Sequence, residues 1–451
     1  MIPVLGIIIV LSYFMYQYSG ADPVNSMLLI SGVVADDVSS SNFEKEYKTI
    51  AKKIGRDLPL FYLSIVPSYF PDTLHRIVLP DKKRFSIKLL REYKNWENID
   101  NYLGQLDRLN LESKDITLSQ DLRQAIFQFN LKVSPKNLQR INASISKEIN
   151  YVSDDLKIAF FDLKKGQELL NNNRSSFFYP KILFHKNRNQ FHIWFKSILT
   201  GNFGVSLTDG RSVKSKLFKS LQWTLSLSIL SILLASFLSI CIGFITAYKK
   251  NSFVDKLIYF ALFILFSIPL FWLATLMIVF FTSDNFGKWT NIFPSVGVFY
   301  TGEGSIFKQF AHNFSLLILP VFCMALQATA YLGRQVRSSI LQQANEPYFL
   351  SALSKGMSRK SALWNHVLPN ALLPFITIIT AAIPASLAGS LVVEVLFNIP
   401  GTGRLMYQSI LNDDWNMISI ILIIISVATM LFYLIGDILY TYVNPRIKLE
   451  S

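Results

Sequence analysis

Hydrophobic and polar residues are distributed unevenly along the 451-residue chain. Residues 1–19 are mostly apolar, residues 20–215 alternate polar and apolar positions as a water-soluble segment does, and long apolar runs dominate from Leu217 onward. A bilayer core needs about 20 apolar residues in helical form. The pattern predicts six membrane-spanning helices, one in the first run and five at 221–247, 257–281, 314–333, 371–396 and 417–443.

The first apolar run has two possible interpretations. It is short, and Ser19-Gly20-Ala21 could serve as a signal-peptide cleavage site. No Lys or Arg precedes the run, however, so the basic region that begins a signal peptide is missing. We favour a retained helix over residues 1–19. Whether the natural chain starts further upstream stays open.

Lys and Arg in the short loops predict the orientation of the spans, because cytoplasmic loops are enriched in these residues. Basic residues concentrate near 249–256, in the loop 334–370 and in the C-terminal tail. The two intervening loops, 282–313 and 397–416, are poor in them. The alternation predicts that both termini lie in the cytoplasm and that residues 20–215 lie on the outer side.

Charge and cysteine content narrow the class of protein. The net charge of +14 does not indicate nucleic-acid binding, because basic residues are scattered among acidic ones and no nucleic-acid motif is present. Cys241 and Cys323 lie in apolar runs, so no disulfide supports the outer segment. The predicted parts are a first transmembrane helix at 1–19, an extracytoplasmic segment at 20–215, and a five-span membrane domain at 216–448 with a cytoplasmic loop at 334–370.

The outer segment has no motif of a known catalytic or metal site. Its histidines, His75, His185 and His192, are isolated in the sequence and have no partner at ligand spacing. Apolar residues recur at three- and four-residue spacing, which predicts a mostly helical segment. The predicted helices lie at 43–54, 99–111, 118–129, 138–151 and 154–170.

The loop 334–370 has a layout that positive charge alone does not explain. Gly356 suits a helix C-terminus because glycine tolerates positive φ, and Ser358 can cap the helix that follows. Pro369 disfavours a continuing helix, so we expect the chain to change direction there. The loop is therefore predicted to form two short helices across the cytoplasmic mouth of the spans.

This stretch resembles the coupling-helix motif of the inner-membrane permeases of binding-protein-dependent ABC importers, specifically the oligopeptide, dipeptide and nickel group. The motif reads Glu-Ala-Ala, three residues, Gly, nine residues, Ile, one residue, Leu-Pro. Leu350 replaces the glutamate and His366 the isoleucine, which weakens any inference about a contact by that glutamate. The resemblance assigns ATPase coupling to Ser351, Ala352, Lys355, Gly356, Arg359, Leu368 and Pro369.

Other stretches resemble the same group in the same order along the chain. Together they cover about 1–64 and 191–448, whereas residues 65–190 have no counterpart and are interpreted as an insertion. The matching stretches are Gly20-Ala21-Asp22-Pro23, Gly55-Arg56-Asp57-Leu58-Pro59-Leu60, Gly201-Asn202-Phe203-Gly204-Val205-Ser206, Ile268-Pro269-Leu270-Phe271-Trp272, the run from Glu394 to Arg404, and Asn444-Pro445-Arg446.

The resemblance implies an all-α polytopic bundle of six spans, the type I ABC importer permease fold, with a mostly helical extracytoplasmic insertion after the first span. It implies transport of oligopeptides or dipeptides across the bacterial inner membrane, or of nickel or another small solute on the same scaffold. Implied partners are a second permease subunit (a homologue or a second copy), two ATP-binding subunits, an extracytoplasmic solute-binding protein and the lipid bilayer.

We expect no catalytic residue, metal or cofactor on this chain. It contains no Gly-x-x-x-x-Gly-Lys-Ser/Thr phosphate loop. By resemblance, ATP and Mg²⁺ are bound by the partner ATPase subunits. The chain is therefore predicted to be the membrane subunit of an ATP-driven translocase and not itself an enzyme.

Glu394 and Arg404 flank the turn Pro400-Gly401-Thr402-Gly403 near the predicted outer mouth. An ionisable residue at the end of a span is costly unless it is paired or hydrated. Both residues are candidates for the pathway or an outer gate. For Glu394 we favour the structural alternative, in which its carboxylate accepts hydrogen bonds from the turn. Asp437, in the last span, is expected to hydrogen-bond a neighbouring helix.

Two other classes of function remain as alternatives. A secondary transporter or channel would show inverted repeats and charges at mid-depth in the membrane. The sequence shows no such repeat and, apart from Asp437, no such charge. A membrane-anchored sensing or scaffold domain would not require the layout from Gly356 to Pro369.

Overall fold

The computed structural model describes residues 2–18, 22–30, 40–113, 119–129, 135–149, 154–172, 179–294, 297, 299, 306–375, 378–380, 382 and 390–443. Over these residues the chain is mostly helical, as predicted. It divides into two compact units. The apolar unit comprises Met1–Ala21 and Phe203–Ser451, and the polar unit comprises Asp22–Asn202. The domain limits inferred from the sequence stay predictions.

The helices are numbered here in chain order. They are α1 (Ile2–Tyr18), α2 (Pro23–Ile30), α3 (Ser40–Lys53), α4 (Pro80–Tyr93), α5 (Trp96–Glu112), α6 (Gln120–Phe129), α7 (Pro135–Glu148), α8 (Asp154–Asn172), α9 (Gln190–Leu199), α10 (Val213–Tyr248), α11 (Phe253–Ser267), α12 (Leu270–Phe281), α13 (Ile306–Gln343), α14 (Pro347–Ser354), α15 (Arg359–Ala362), α16 (Leu368–Ala371), α17 (Leu391–Leu396), α18 (Thr402–Leu411) and α19 (Trp415–Val443).

Three helices within the described residues are long and apolar enough to cross a membrane, in α10, α13 and α19. α1 is apolar but has 17 residues, which gives a length of about 26 Å. The predicted span 371–396 lies partly outside the described residues. Counting each of two bent helix pairs as one span raises the number from three to five.

The predicted span 257–281 is not one straight helix. α11 and α12 are bent by 102° relative to each other. The break falls at Ile268 and Pro269, which have extended backbone angles. Proline lacks the N–H that would bond to the preceding turn, and it disfavours helical angles in the residue before it. The apolar stretch was therefore located correctly from the sequence, and it forms two helices that meet at Pro269. Its role as a single span stays a prediction.

α10 and α13 form the centre of the apolar unit. They approach closely because small residues lie at the contact: a Cβ on Gly243 would lie 2.6 Å from Val336 Cγ1. Gly333 lies opposite Ser239. The residue numbers at the contact increase in the same direction along both helices, so the helices run parallel. Helices in lipid associate through close packing of this kind.

The start of α19 is fixed by two other parts of the apolar unit. The Asn416 side-chain amide donates hydrogen bonds to the carbonyls of Phe203, at 3.2 Å, and Val205, at 2.8 Å. One turn later, Ser419 Oγ donates to the carbonyl of Ser12 in α1, at 3.1 Å. α1 is therefore packed against α19 and not separate from the bundle, with Tyr13 only 1% exposed.

The polar unit has its own helical core. Buried residues of α4 to α8 form one apolar cluster, in which Leu89, Tyr102, Phe129 and Phe160 are almost completely covered. Repeated apolar spacing of three and four residues places these side chains on one face of each helix. The five helices predicted in this segment are confirmed, with ends that differ by at most three residues where both limits are described.

A two-stranded antiparallel sheet in the polar unit was not predicted. β1 (Leu63–Pro67) pairs with β2 (Pro180–Phe184), and Leu63 lies opposite Phe184. The strands bring together the two ends of the predicted insertion 65–190. The insertion is therefore closed at its base by backbone hydrogen bonds.

Candidate functional site

The loop that carries the coupling-type motif folds as two short helical segments, Pro347–Ser354 and Arg359–Ala371, called the short-helix pair below. The first segment ends at Gly356, whose φ is +85°. The Gly356 N–H donates to the Leu353 carbonyl at 2.9 Å, and the Met357 N–H donates to the Ala352 carbonyl at 3.3 Å. This pair of bonds is the Schellman motif. The predicted C-terminal role of Gly356 is confirmed.

The second segment begins as predicted but does not end as predicted. The Ser358 hydroxyl accepts a hydrogen bond from the Ser361 N–H at 3.4 Å and caps the helix. The helix then widens into a π turn over Leu363–Val367 and continues through Leu368–Ala371. Pro369 lies in the first turn of α16, where an N–H is not required. The helix continues past Pro369 to Ala371, and the next helix, Leu373–Thr380, is bent by 41° relative to it. The expected change of direction before the next span is therefore found, a few residues after Pro369.

One face of the short-helix pair is buried against the long helices. Phe349, Leu363 and Val367 belong to an apolar cluster with Phe244 of α10 and Val336 of α13. The cluster spans both segments of the pair, so the pair is held against the ends of α10 and α13 as one body. A displacement of the pair would therefore be transmitted to the two central helices.

The opposite face of the pair is exposed and carries apolar and basic side chains. Leu350 is 58% exposed. Trp364, at the edge of this face, is 52% exposed, and its ring meets Phe244 of α10 edge to face with 5.0 Å between the ring centroids. Among the described residues, Lys355 and Arg359 form no ion pair. Of the predicted coupling residues, Ala352 and Leu368 are buried, whereas Ser351, Lys355, Gly356, Arg359 and Pro369 are exposed. Their coupling role stays a prediction.

Two other basic residues of the loop make internal contacts. The Arg337 guanidinium donates two hydrogen bonds to Asp255, at 2.9 and 2.8 Å. Asp255 lies in the first turn of α11, is 3% exposed, and also accepts the Asn251 N–H at 2.9 Å. Arg334 lies 4.3 Å above the Phe266 ring. These residues, which the charge pattern assigned to the loop surface, attach α11 to α13.

Glu394 lies at the centre of a buried hydrogen-bond network. Its side chain has 0% exposure. Glu394 Oε1 accepts hydrogen bonds from Thr224 Oγ1 at 2.7 Å and from Ser390 Oγ at 2.8 Å. Glu394 Oε2 accepts the Arg404 N–H at 3.0 Å. The carboxylate thereby satisfies backbone and hydroxyl donors from α10, α17 and α18. A role in gating stays a prediction.

The turn beside Glu394 requires glycine because of the close approach of this carboxylate. A Cβ on Gly401 would lie 2.3 Å from Glu394 Cδ, and one on Gly403 would lie 2.5 Å from the Leu391 Cα. Arg404 does not pair with Glu394 through its side chain. Its guanidinium donates instead to the Asn398 carbonyl at 2.8 Å, and Asn398 has a φ of 59°.

Asp437 differs from the expectation. The residue is exposed on α19, and its carboxylate forms no hydrogen bond with any described residue. The adjacent Gly436 is the residue that contacts another segment, because a Cβ there would lie 2.8 Å from Thr380 Oγ1. The predicted interhelical hydrogen bond of Asp437 is therefore not found.

Comparison with known proteins bears on the apolar unit. A family model described as "Binding-protein-dependent transport system inner membrane component" matches residues 239–449. The match includes the short-helix pair, the Asp255–Arg337 ion pair and Glu394. The match also contains most of the stretches that resemble importer permeases, whereas those at 20–23, 55–60 and 201–206 lie before it.

Curated relatives align with more than half of the chain. The oligopeptide transport system permease protein AppB of Bacillus subtilis is 37% identical over 57% of this chain and 80% of its own length. A probable peptide ABC transporter permease protein of Sinorhizobium fredii is 32% identical over 57% and 80%. The metal-staphylopine import system permease protein CntB of Staphylococcus aureus is 30% identical over 61% and 81%. This chain therefore belongs to the family of inner membrane components of binding-protein-dependent transport systems.

Proposed function

We propose that this chain is the permease subunit of an ATP-driven importer that moves oligopeptides or dipeptides across the bacterial inner membrane. Two ATP-binding subunits supply the energy and bind ATP and Mg²⁺, a solute-binding protein delivers the peptide, and a second permease subunit completes the pathway. The chain itself contributes no catalytic residue and no cofactor.

The two-faced construction of the short-helix pair is the observation that carries the proposal. Its buried face is packed with α10 and α13, whereas Leu350 and Lys355 are on its exposed face. Trp364 lies between the two, half exposed and in contact with Phe244 of α10. An ATPase subunit that grips the exposed face would move the pair as a rigid body. Because packed interfaces have a few discrete arrangements, such a movement would switch the long helices between inward-facing and outward-facing packings.

The names of the relatives support a peptide substrate. Oligopeptide and dipeptide transport system permeases are among them. The pathway of the peptide would run between this chain and the second permease subunit. Selection of the peptide would be shared with the solute-binding protein.

We further propose six spans with both termini in the cytoplasm. α1 would be the first span, the bent pair α11–α12 the third, and the region 371–396 the fifth. Packing of α1 against α19 supports its retention as a span. The short-helix pair would then face the cytoplasm, and the polar unit would lie outside it.

Photo-crosslinking from the short-helix pair tests the ATPase contact. A photoreactive phenylalanine analogue would replace Leu350 or Trp364, both exposed, in cells that express the whole transporter. The matched control is Leu111 of the polar unit, which is 66% exposed. We expect crosslinks to an ATP-binding subunit from both loop positions and none from Leu111. Absence of such crosslinks from both loop positions would refute the proposed contact with an ATP-binding subunit.

Import of a metal chelate is a second candidate. It is favoured by the relative named as a metal-staphylopine import system permease, at 30% identity. The two candidate functions can be distinguished by deleting the gene for this chain. Growth of the deletion strain is then measured with dipeptides as the only source of a required amino acid. Peptide import predicts loss of growth on dipeptides, whereas chelate import predicts loss of growth only under metal limitation.

A further inference from the structure

The polar unit contains a cleft that the transport proposal does not use. It has a volume of about 660 Å³, which is within the usual range for sites of small ligands. Three cationic side chains reach it from separate elements. Lys52 comes from the end of α3, Arg76 from the 3₁₀ turn Leu74–Arg76, and Arg188 from the turn that follows β2.

The cations of the cleft are not neutralised by the rest of the unit. Among the described residues, Lys52, Arg76 and Arg188 form no ion pair. Two carboxylates also line the cleft, but Asp72 is paired with Lys181 at 3.1 Å. Asp57 is therefore the one lining carboxylate, within the described part of the chain, that has no cationic partner within 4 Å. Positive charge is in excess.

The pKa values of two neighbouring basic groups, His75 and Lys83, are lowered. Burial, and after it the charges of Arg76, His185 and Lys83, lowers the pKa of His75, against an opposing effect of Asp57. Burial, and after it the charge of Arg56, lowers the pKa of Lys83. Burial is the larger cause for both groups, and the neighbouring cations add a smaller effect in the same direction.

The walls of the cleft are held in place before any ligand arrives. β1 and β2 position His185, whose Nε2 lies 3.0 Å from Ser64 Oγ. Lys186 adopts a φ of 47°, and the Arg188 N–H donates to the His185 carbonyl at 3.2 Å, which closes the turn. The backbone of Arg76 is fixed by the hydrogen bond from its N–H to the Thr73 carbonyl at 2.9 Å. Ligand binding would therefore require little reordering of the backbone.

We propose that this cleft binds the carboxylate or phosphate group of a small anionic ligand, with Arg76 and Arg188 as the principal contacts and Lys52 at the rim. Guanidinium groups suit this task because their fixed N–H geometry matches the paired oxygens of such anions. A free phosphate compound and the C-terminal carboxylate of a peptide share this chemistry. The site is independent of the proposed function, because it lies in the polar unit and involves no residue of the short-helix pair.

Calorimetric titration of the purified full-length chain in detergent at low salt tests the site. The probes are inorganic phosphate, the dipeptide Ala-Ala, and Ala-Ala amide, which lacks the carboxylate. The double variant Arg76→Ala, Arg188→Ala removes the proposed contacts. The control Arg84→Ala, Arg91→Ala removes the same charge from exposed positions of α4. All four residues are exposed, so circular dichroism of each variant should match the parent chain.

We expect saturable binding of phosphate or Ala-Ala, a loss of affinity of about tenfold or more in the first variant, and a change below about twofold in the control. Binding of Ala-Ala without binding of its amide identifies a carboxylate ligand, whereas binding of phosphate alone identifies a phosphate ligand. Absence of saturable binding by both anions overturns the proposal. An equal loss of affinity in the two variants also overturns it, because general charge would then explain binding.

Discussion

The Glu394 carboxylate is stabilised by donors from three helices of the apolar unit. Thr224, Ser390 and the Arg404 N–H surround it, and water does not reach it. The Arg404 N–H belongs to the first turn of α18, where unpaired N–H groups and the helix dipole favour a negative charge. Glu394 therefore connects the turn 397–401 to α10, and its chemistry is that of a structural anchor.

Replacing Glu394 by Ala should destabilise the apolar unit. The substitution leaves the Ser390 hydroxyl and the Arg404 N–H without their acceptor, and each such donor costs about 1–3 kcal/mol. Thr224 Oγ1 loses its bond to Glu394 but keeps Thr402 Oγ1 as a partner at 2.9 Å. We expect the thermal unfolding midpoint of the purified chain to fall by about 10 °C, measured by intrinsic fluorescence in detergent. Glu346→Ala is the control, because Glu346 is exposed and makes no side-chain cap. A midpoint within about 1 °C of the parent value would contradict the anchor role.

Residues close in sequence were predictable, and residues brought together by the fold were not. Gly356 and Ser358 act within one turn of their own helices, so their backbone roles follow from residue type. Asp255 and Arg337 are separated by 82 positions, and Thr224 and Glu394 by 170. No local pattern signals such pairs. The one indication of these pairs in the sequence was that their carboxylates lie next to apolar runs.

At the scale of elements, the helices of the short-helix pair were predicted from local sequence, but not all of their limits were. The sequence predicted helix, glycine break and second helix, and these were found. The helix does not stop at Pro369 itself but continues through the π turn Leu363–Val367 to Ala371. The chain then bends by 41° before the next helix, Leu373–Thr380. Proline disfavours a continuing helix, but residue type alone does not fix the residue at which the bend falls.

Changing Gly356 to Val should reduce transport while leaving the chain in the membrane. A Cβ would meet no atom within 4 Å, but the φ of +85° is strained for a branched side chain. The strain is about 1–2 kcal/mol, enough to lower the occupied fraction of the coupled arrangement about tenfold. We expect peptide uptake to fall by a similar factor. Gly356→Asn should retain more uptake, because asparagine tolerates positive φ better than valine.

The amount of chain in purified membranes serves as the control for both Gly356 variants and should equal the parent amount. Normal uptake by Gly356→Val, measured with a labelled dipeptide, would show that the turn does not contribute to coupling.

Substitutions of Asp255 and Arg337 should have strongly non-additive effects on the free energy of unfolding. Arg337→Ala leaves a carboxylate with 4% side-chain exposure unpaired, which costs about 3–5 kcal/mol. Asp255→Ala should cost less, since Arg337 is 23% exposed and can reach water. The double variant should therefore be more stable than the sum of the single effects implies, by about 2 kcal/mol. A double-mutant cycle of unfolding free energies measures the coupling.

The exposed pair Asp154–Lys157 is the matched control, with 90% exposure at its aspartate. Its coupling should be at most about 1 kcal/mol. Equal coupling energies for the two pairs would mean that Asp255 and Arg337 do not clamp α11 to α13.

At the scale of the whole molecule, the separation into an apolar and a polar unit followed from the distribution of apolar residues. Five helices of the polar unit, α3 and α5 to α8, followed from their periodicity, whereas α2, α4 and α9 were not predicted. Its two strands did not, because β1 and β2 are each five residues long and β1 contains no clear alternation. Their pairing joins residues about 120 positions apart, and pairing over such a distance is specified by the fold rather than by local propensity.

The central claim is that this chain moves peptide when ATP is hydrolysed on partner subunits. Uptake of a labelled dipeptide into proteoliposomes that contain the chain, its partner permease, both ATP-binding subunits and the solute-binding protein tests it most directly. We expect accumulation inside the vesicles that requires ATP and is lost when the ATP-binding subunits are omitted. Equal accumulation without ATP, or without those subunits, would contradict it.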